Sequence, residues 1–339
     1  MSAFLEVKNL NVAFPTEDGE VLASNDVSYS VALGETLAIV GESGSGKSVA
    51  NLAVMGLHNP ARTKISGSAI LNLETGPVDV INADKETVRR LRGSAMSMIF
   101  QDPMSALHPF YTVGDQIQEA WSLYNEGGKD AARKRALEVL DLVGIPDVQK
   151  RIDEYPHQFS GGMRQRVMIA MALVNNPKLL IADEPTTALD VTVQSQILQL
   201  LRDLQKEFNT AIVLITHDMG VVAEMSDRVN VMYAGRVVES GTTDEIFYHP
   251  SHPYGIGLLS SIPRIDKGHG KRLHAIPGQP PSLIHLPQGC PFAPRCEFKQ
   301  HVTNGACEST KPGIQNISDT HYSRCHIAAN EMKSLLEAR

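Results

Sequence analysis

Gly41-Glu42-Ser43-Gly44-Ser45-Gly46-Lys47-Ser48 fits the pattern G-x-x-x-x-G-K-[ST] of a phosphate-binding loop. Its neighbours give the match its weight. Thr36-Leu37-Ala38-Ile39-Val40, immediately before it, is a continuous apolar run that reads as a buried strand. Residues 48–57 read as a helix, with Gly56 near its end. A chance glycine-rich turn has no need of that strand–loop–helix setting. Glycines let backbone N–H groups curl around phosphate oxygens, and the helix adds the positive end of its dipole. In this frame Lys47 reaches the β- and γ-phosphates of a nucleoside triphosphate, and the Ser48 hydroxyl ligates Mg²⁺.

Working outward, Met96-Ser97-Met98-Ile99-Phe100 is a second strand candidate, ending at Gln101. Leu179-Leu180-Ile181-Ala182-Asp183 and Ala211-Ile212-Val213-Leu214-Ile215-Thr216 are continuous apolar runs, as expected of parallel strands covered on both faces. Between them Asp190 is a candidate N-cap for a helix with Val193, Ile197, Leu200, Leu204 and Phe208 inward. That order is a βαβ unit, and the fold class expected is α/β. Residues 5–40 read as short apolar strands separated by polar turns. The stretch from about 102 to 176 reads as a mainly helical insert, with Ala132, Ala136, Val139, Leu140 and Val143 at helical spacing.

In open parallel sheets ligands sit at the carboxyl ends of strands. Asp183 is there to hold Mg²⁺, and Glu184, one residue on, to orient or deprotonate an attacking water. Either residue alone would read as an acidic helix cap. His217 follows the strand ending at Thr216 and is the candidate contact to the γ-phosphate. Gln101 is the candidate sensor of Mg²⁺ and the water. Phe14 is open between stacking on adenine and a place in the core.

The chain has 339 residues, 42% of them apolar, which suits one large domain plus an appendage. No run of about 18 apolar residues appears, so no membrane span is expected. The start, Met1-Ser2-Ala3-Phe4-Leu5-Glu6-Val7, lacks a basic segment followed by an apolar one, so no signal peptide is expected and the protein should stay in the cytoplasm. Net charge is -7 and the pI about 5.9, which disfavours nucleic acid as a partner. Arg89, Arg90 and Arg92 read as a solvated helix face. From about residue 249 frequent prolines, Pro250 and Pro253 through Pro291 and Pro294, break any long periodic element. The expected division is a nucleotide-binding domain over 1–248 and a loop-rich tail over 249–339, with a helix from about 327 to 336.

Phe159-Ser160-Gly161-Gly162-Met163-Arg164-Gln165 precedes a second apolar helix. Ser160, Gly161 and Gly162 let backbone N–H groups approach an anion, though by spacing alone the reading as an N-capped helix wins. Together with the other motifs, this stretch resembles the ATP-binding subunit of an ABC transporter. The order is that of the family: residues 41–48 (Walker A), Gln101 (Q-loop), Ser160 to Gln165 (signature), residues 179–184 (Walker B), Ala188-Leu189-Asp190 (D-loop) and His217 (switch histidine). The signature reads Phe-Ser-Gly-Gly-Met where the family usually has Leu-Ser-Gly-Gly-Gln, and keeps the Ser-Gly-Gly that touches phosphate. Gln101-Asp102-Pro103-Met104-Ser105-Ala106-Leu107-His108-Pro109, His252-Pro253-Tyr254-Gly255-Ile256-Gly257-Leu258-Leu259 and Gly289-Cys290-Pro291-Phe292-Ala293-Pro294-Arg295-Cys296 resemble the oligopeptide/dipeptide importer branch. That branch usually has Thr-Ser-Leu-Asn-Pro where this chain has Ser105-Ala106-Leu107-His108-Pro109.

The resemblance implies a RecA-like P-loop NTPase cassette with a helical subdomain, using ATP and Mg²⁺. It implies a dimer, with an identical or a paralogous ATPase, that closes on two ATP molecules. Each would lie between Walker A of one subunit and the signature of the other, with Asp190 beside them. Gln101 would be the hinge between chemistry and motion. The implied partners are two membrane permease subunits and, indirectly, an extracytoplasmic peptide-binding protein, with this chain bound peripherally at the cytoplasmic face of the cell membrane. The same engine serving nickel or murein peptides is an alternative. A soluble ABC protein of DNA repair or translation is less apt, because such proteins usually carry two cassettes or a long coiled coil.

All four cysteines fall in the tail. Cys290, Cys296, Cys307 and Cys325 have five, ten and seventeen residues between neighbours, without the tight C-x₂₋₄-C pair usual for zinc. Members of the resembling branch can hold a [4Fe–4S] cluster on four such cysteines. The other reading is reduced structural cysteines, and His321 and His326 flank Cys325 as alternative ligands.

Overall fold

The strand Thr36–Val40 is buried at all five positions, as its unbroken apolar run predicts. The computed structural model describes residues 2–187, 189–262 and 276–337; Ala188 of the expected D-loop lies outside them. The described residues gather into two compact units. One comprises 6–30, 36–69 and the described residues from 216 onward; the other comprises 2–5, 31–35 and 70–215.

In the unit that holds the phosphate loop, Thr36–Val40 pairs in parallel with Arg228–Tyr233, Leu37 opposite Arg228 and Val40 opposite Val231. Arg228–Tyr233 pairs antiparallel with Arg236–Thr242. That strand in turn pairs antiparallel with Tyr322–Ser323, and the latter with Gln315–Asn316. The proline-rich tail therefore extends the sheet that carries the phosphate loop. It also shares its core: Val40, Val231, Tyr233 and Tyr254 pack in one cluster with Cys290, Phe292 and Cys307. A buried carboxylate pins the arrangement. Glu239, fully buried, accepts from the N–H groups of Ser251 at 2.6 Å and His252 at 3.1 Å, and lies 2.9 Å from His321 Nε2. Three partners compensate the desolvation of that charge. His252 caps the helix Pro253–Ser260, its Nδ1 accepting from Tyr254 N. Burial holds this imidazole neutral, its pKa lowered to about 3.

The short strands expected over 5–40 are instead two long ones, Ala3–Thr16 and Gly19–Ala32, of 14 residues each, ahead of Thr36–Val40. Turns separate the strands at 17–18 and 33–34, and two further polar positions are kinks inside the long strands. Asn9 and Asp26 have φ of 47° and 56°, a left-handed geometry that short polar side chains tolerate. Each kink is satisfied across the strands: Asn9 Nδ2 donates to Asp26 at 2.8 Å, and Asp26 N donates to Asn11 at 2.9 Å.

In the other unit Met96–Ile99 pairs in parallel with Leu179–Asp183, which pairs in parallel with Ala211–Thr216; all three are buried throughout. Asp190 caps the intervening helix Val191–Phe208, accepting from Val193 N at 3.0 Å. Its buried stripe is Ile197, Leu198, Leu201 and Leu204. Val193, Leu200 and Phe208, expected inward, are only half-buried, and Leu198 and Leu201 take buried positions instead. The insert is helical as read. It contains Val113–Ser122, Gly128–Leu142 and Gly161–Leu173, with Ala132, Ala136, Val139 and Leu140 buried on the second. Arg89 and Arg90 are exposed and paired with Glu86 on their own helix. Among the described residues no helix is long and apolar enough to cross a membrane.

Candidate nucleotide site

The phosphate loop turns between Val40 and the helix Lys47–Val54. Two of its glycines are required by shape. Gly41 has φ 156° and Gly46 φ 96°, and a Cβ would stand 2.2 Å from the Met232 carbonyl oxygen at the first and 2.1 Å from that of Ala23 at the second. Only a residue without a side chain lets the loop pass so close to its neighbours. Lys47 is buried, and its ammonium donates to the carbonyls of Gly41 at 2.6 Å and Glu42 at 3.0 Å. Ser43 and Gly44 form the exposed tip, and Ser48 is half-buried. Behind the helix start, Tyr29 donates to Asn51, which donates to the Lys47 carbonyl. The Phe14 ring is half-buried and meets His58 edge-on at 5.6 Å.

In the other unit the end of Leu179–Asp183 carries a buried Asp183 and a half-buried Glu184. Glu184 has φ 46°, a backbone geometry that costs a residue of its shape on the order of 1 kcal/mol and clusters at functional sites. The strand next door holds it, since Glu184 N donates to Ile215 O at 2.9 Å. Its carboxylate accepts from Gln101 Nε2 at 3.0 Å and Thr187 Oγ1 at 2.9 Å. Two residues 83 positions apart are thus brought together at one strand edge.

Ser160 caps the helix Gly161–Leu173, its hydroxyl accepting from Met163 N at 3.3 Å. Ser160, Gly161, Gly162, Leu189 and Asp190 line one open cleft of about 420 Å³. Signature and D-loop residues therefore present a single concave surface. Gln165, buried, donates to the Pro185 carbonyl at 2.6 Å and ties the signature helix to the segment just after Glu184. His217 is exposed and directly precedes Asp218, the N-cap of Met219–Met225.

The four cysteines line one cavity together with His326. Among the described residues no group of three or more His, Cys, Asp or Glu side chains is arranged to hold a metal ion. His321 is committed to Glu239, and His326 Nε2 lies 2.8 Å from the Thr310 carbonyl. Burial raises all four thiols, Cys296 to about 11 and Cys325 to about 12. A raised pKa leaves less thiolate at a given pH, so alkylation by iodoacetamide at pH 8 should run at least about tenfold slower in the folded chain than in urea. Equal rates would contradict the buried, protonated cysteines.

Three residues that sequence reasoning passed over complete the picture. Thr187 holds Glu184, Gln165 links signature to Walker B, and Arg295 grips Glu42 within the loop through paired bonds of 2.5 and 2.9 Å. Gln165 and Arg295 stood in quoted motifs, but nothing in a linear spacing says which distant residue each will face.

A family model described as "ABC transporter" matches residues 24–187, and one described as "Oligopeptide/dipeptide transporter, C-terminal region" matches 238–302. The oligopeptide transport ATP-binding protein OppD of Haemophilus influenzae is 54% identical over 88% of this chain and 90% of its own length. The dipeptide transport ATP-binding protein DppD of Bacillus subtilis is 50% identical over 96% of this chain and 95% of its own. Among solved structures, the dimeric ATP-binding cassette MJ0796 bound to ADP and Pi is similar with a TM-score of 0.62 and 28% identity, covering 70% of this chain and 98% of that one. The cassette fold, the ordered motifs and near-full-length relatives agree: the chain belongs to the ABC transporter ATP-binding proteins, in the oligopeptide/dipeptide branch.

Proposed function

We propose that this chain is the ATP-hydrolysing subunit of an ABC importer that takes up peptides, working at the cytoplasmic face of the cell membrane. The hydrolytic part is carried by Glu184, a carboxylate fixed in left-handed backbone at a strand end and oriented by Gln101 and Thr187. Such a group accepts a proton from water as the water attacks the γ-phosphate. Lys47, whose ammonium already lies against loop carbonyls, holds the β- and γ-phosphates. The Ser48 hydroxyl, the buried Asp183 carboxylate and Gln101 supply oxygen donors of the kind Mg²⁺ takes. Bound by these residues, Mg²⁺ would supply positive charge against the charge that develops on the transferring phosphoryl group. His217 contacts the γ-phosphate and Phe14 the adenine.

The cleft of Ser160, Gly161, Gly162 and Asp190 receives the nucleotide held by a second ATPase, identical or paralogous, so that ATP closes the dimer and hydrolysis opens it. Two permease subunits receive that motion, and a peptide-binding protein outside the membrane delivers the cargo. Peptide as cargo is supported by the relatives' names and by the C-terminal match over 238–302. The test is reconstitution of the chain with its membrane partners and binding protein, followed by ATPase rates with di-, tri- and longer peptides. Peptide should raise turnover several-fold; indifference to every peptide length would sink the cargo assignment and leave the ATPase standing.

A further inference from the structure

The tail reaches into the phosphate loop. Arg295, on the short turn Ala293–Arg295, is 5% exposed and makes a two-pronged pair with the Glu42 carboxylate, 2.5 Å to one oxygen and 2.9 Å to the other. Arg295 Nε donates to Pro277 O at 2.8 Å, and its Nη1 also donates to the Tyr233 hydroxyl at 3.4 Å. Phe292, Tyr233 and Tyr254 pack against one another beneath it. The Tyr254 hydroxyl accepts from Glu42 N at 2.7 Å. Glu42 is therefore held at its carboxylate and its N–H by the tail, and its carbonyl is one of the oxygens that hold the Lys47 ammonium.

We propose that Arg295 is a positioning residue for ATP binding, acting through Glu42. Two effects follow from the geometry, and both rest on the nucleotide reading given above. Glu42 is the second residue of a loop that must receive a triphosphate, and its bare carboxylate would repel that anion; the guanidinium neutralises it and draws it aside. The strap also fixes the Glu42 carbonyl, so the Lys47 ammonium meets the phosphates from a set position rather than from a mobile loop. A planar fork is needed for two parallel bonds, which a lysine cannot make.

The test is a double-mutant cycle in the full chain, read by affinity for a fluorescent ATP analogue and by kcat. Arg295→Met should weaken ATP binding by about tenfold while changing kcat by less than about twofold, since the lost interaction serves the ground state and transition state alike. Adding Glu42→Gln, which removes the stranded carboxylate, should return the affinity to within about threefold of the starting protein. A merely structural role for Arg295 predicts no such rescue. If Arg295→Met does not fold, Arg295→Gln, which also removes the charge, takes its place in the same cycle. Unchanged affinity in a folded Arg295 variant, or additive effects in the double variant, overturns the inference. Failure of the unmodified chain to bind the analogue would instead overturn the nucleotide reading on which it rests.

Discussion

Glu184→Gln is expected to lower ATP turnover by about 10²- to 10⁴-fold, the span that loss of a positioned general base produces, while ATP binding persists. The substitution is close to isosteric, and its amide oxygen still accepts from Gln101 Nε2 and Thr187 Oγ1, which now lie 3.0 and 2.9 Å from the carboxylate. The backbone at φ 46° remains tied to Ile215 O, so the strand end should keep its shape. What disappears is the capacity to take a proton from water. On the proposal that ATP closes the two cassettes on each other and hydrolysis opens them, the variant should accumulate as an ATP-closed dimer. Size-exclusion chromatography with and without ATP reads this directly. Turnover within about twofold of the unmodified chain would remove Glu184 from the role of base and leave Gln101 and Thr187 holding a structural cap.

Much of this site is legible in the linear sequence because its parts are local. Residues 41–48 announce themselves through the strand before and the helix after, and Asp183-Glu184 through the apolar run that ends at them. Ser160 caps a helix three residues from its partner, as spacing alone suggests. What was not legible is what depends on long-range pairing. Asn9 and Asp26 look like turn residues, yet their side chains bond to each other across two long strands, and only the register of those strands makes the kinks affordable in polar terms. Arg295 and Glu42 stand 253 positions apart. The tail's prolines suggest a separate loop-rich body, but the apolar side chains around Cys290 and Phe292 find their burial against Val231 and Tyr233. The cysteines illustrate the reverse case: they do converge on one cavity, and convergence of donors is still not a metal-holding arrangement.

Ser160→Arg should reduce hydrolysis by about 10²-fold at a site this subunit does not itself load, comparable to removing an anion-stabilising donor from a reaction centre. Ser160 is exposed at the mouth of the cleft it shares with Gly161, Gly162 and Asp190, and its hydroxyl caps the helix behind it through Met163 N. Loss of that cap costs about 1 kcal/mol, too little to unfold a helix with Val167, Ile169, Ala170 and Leu173 buried. The damage is therefore local: an arginine fills the space where the partner's γ-phosphate would approach the helix N-terminus. Mixed dimers locate the lesion. Pairing a Ser160→Arg chain with a Lys47→Ala chain leaves one intact phosphate loop, and that loop faces an intact signature, so one working site survives. Placing both substitutions in the same chain, paired with an unmodified one, leaves the only loaded loop facing the damaged signature, and turnover should collapse. Nucleotide binding by the Ser160→Arg chain's own loop should stay within about twofold, because Lys47 and its carbonyl partners lie outside the altered cleft. If the pattern reverses, with the doubly substituted chain's dimer staying active and the Ser160→Arg/Lys47→Ala dimer collapsing, the phosphate loop and the signature do not act across the interface, and each chain completes its own site.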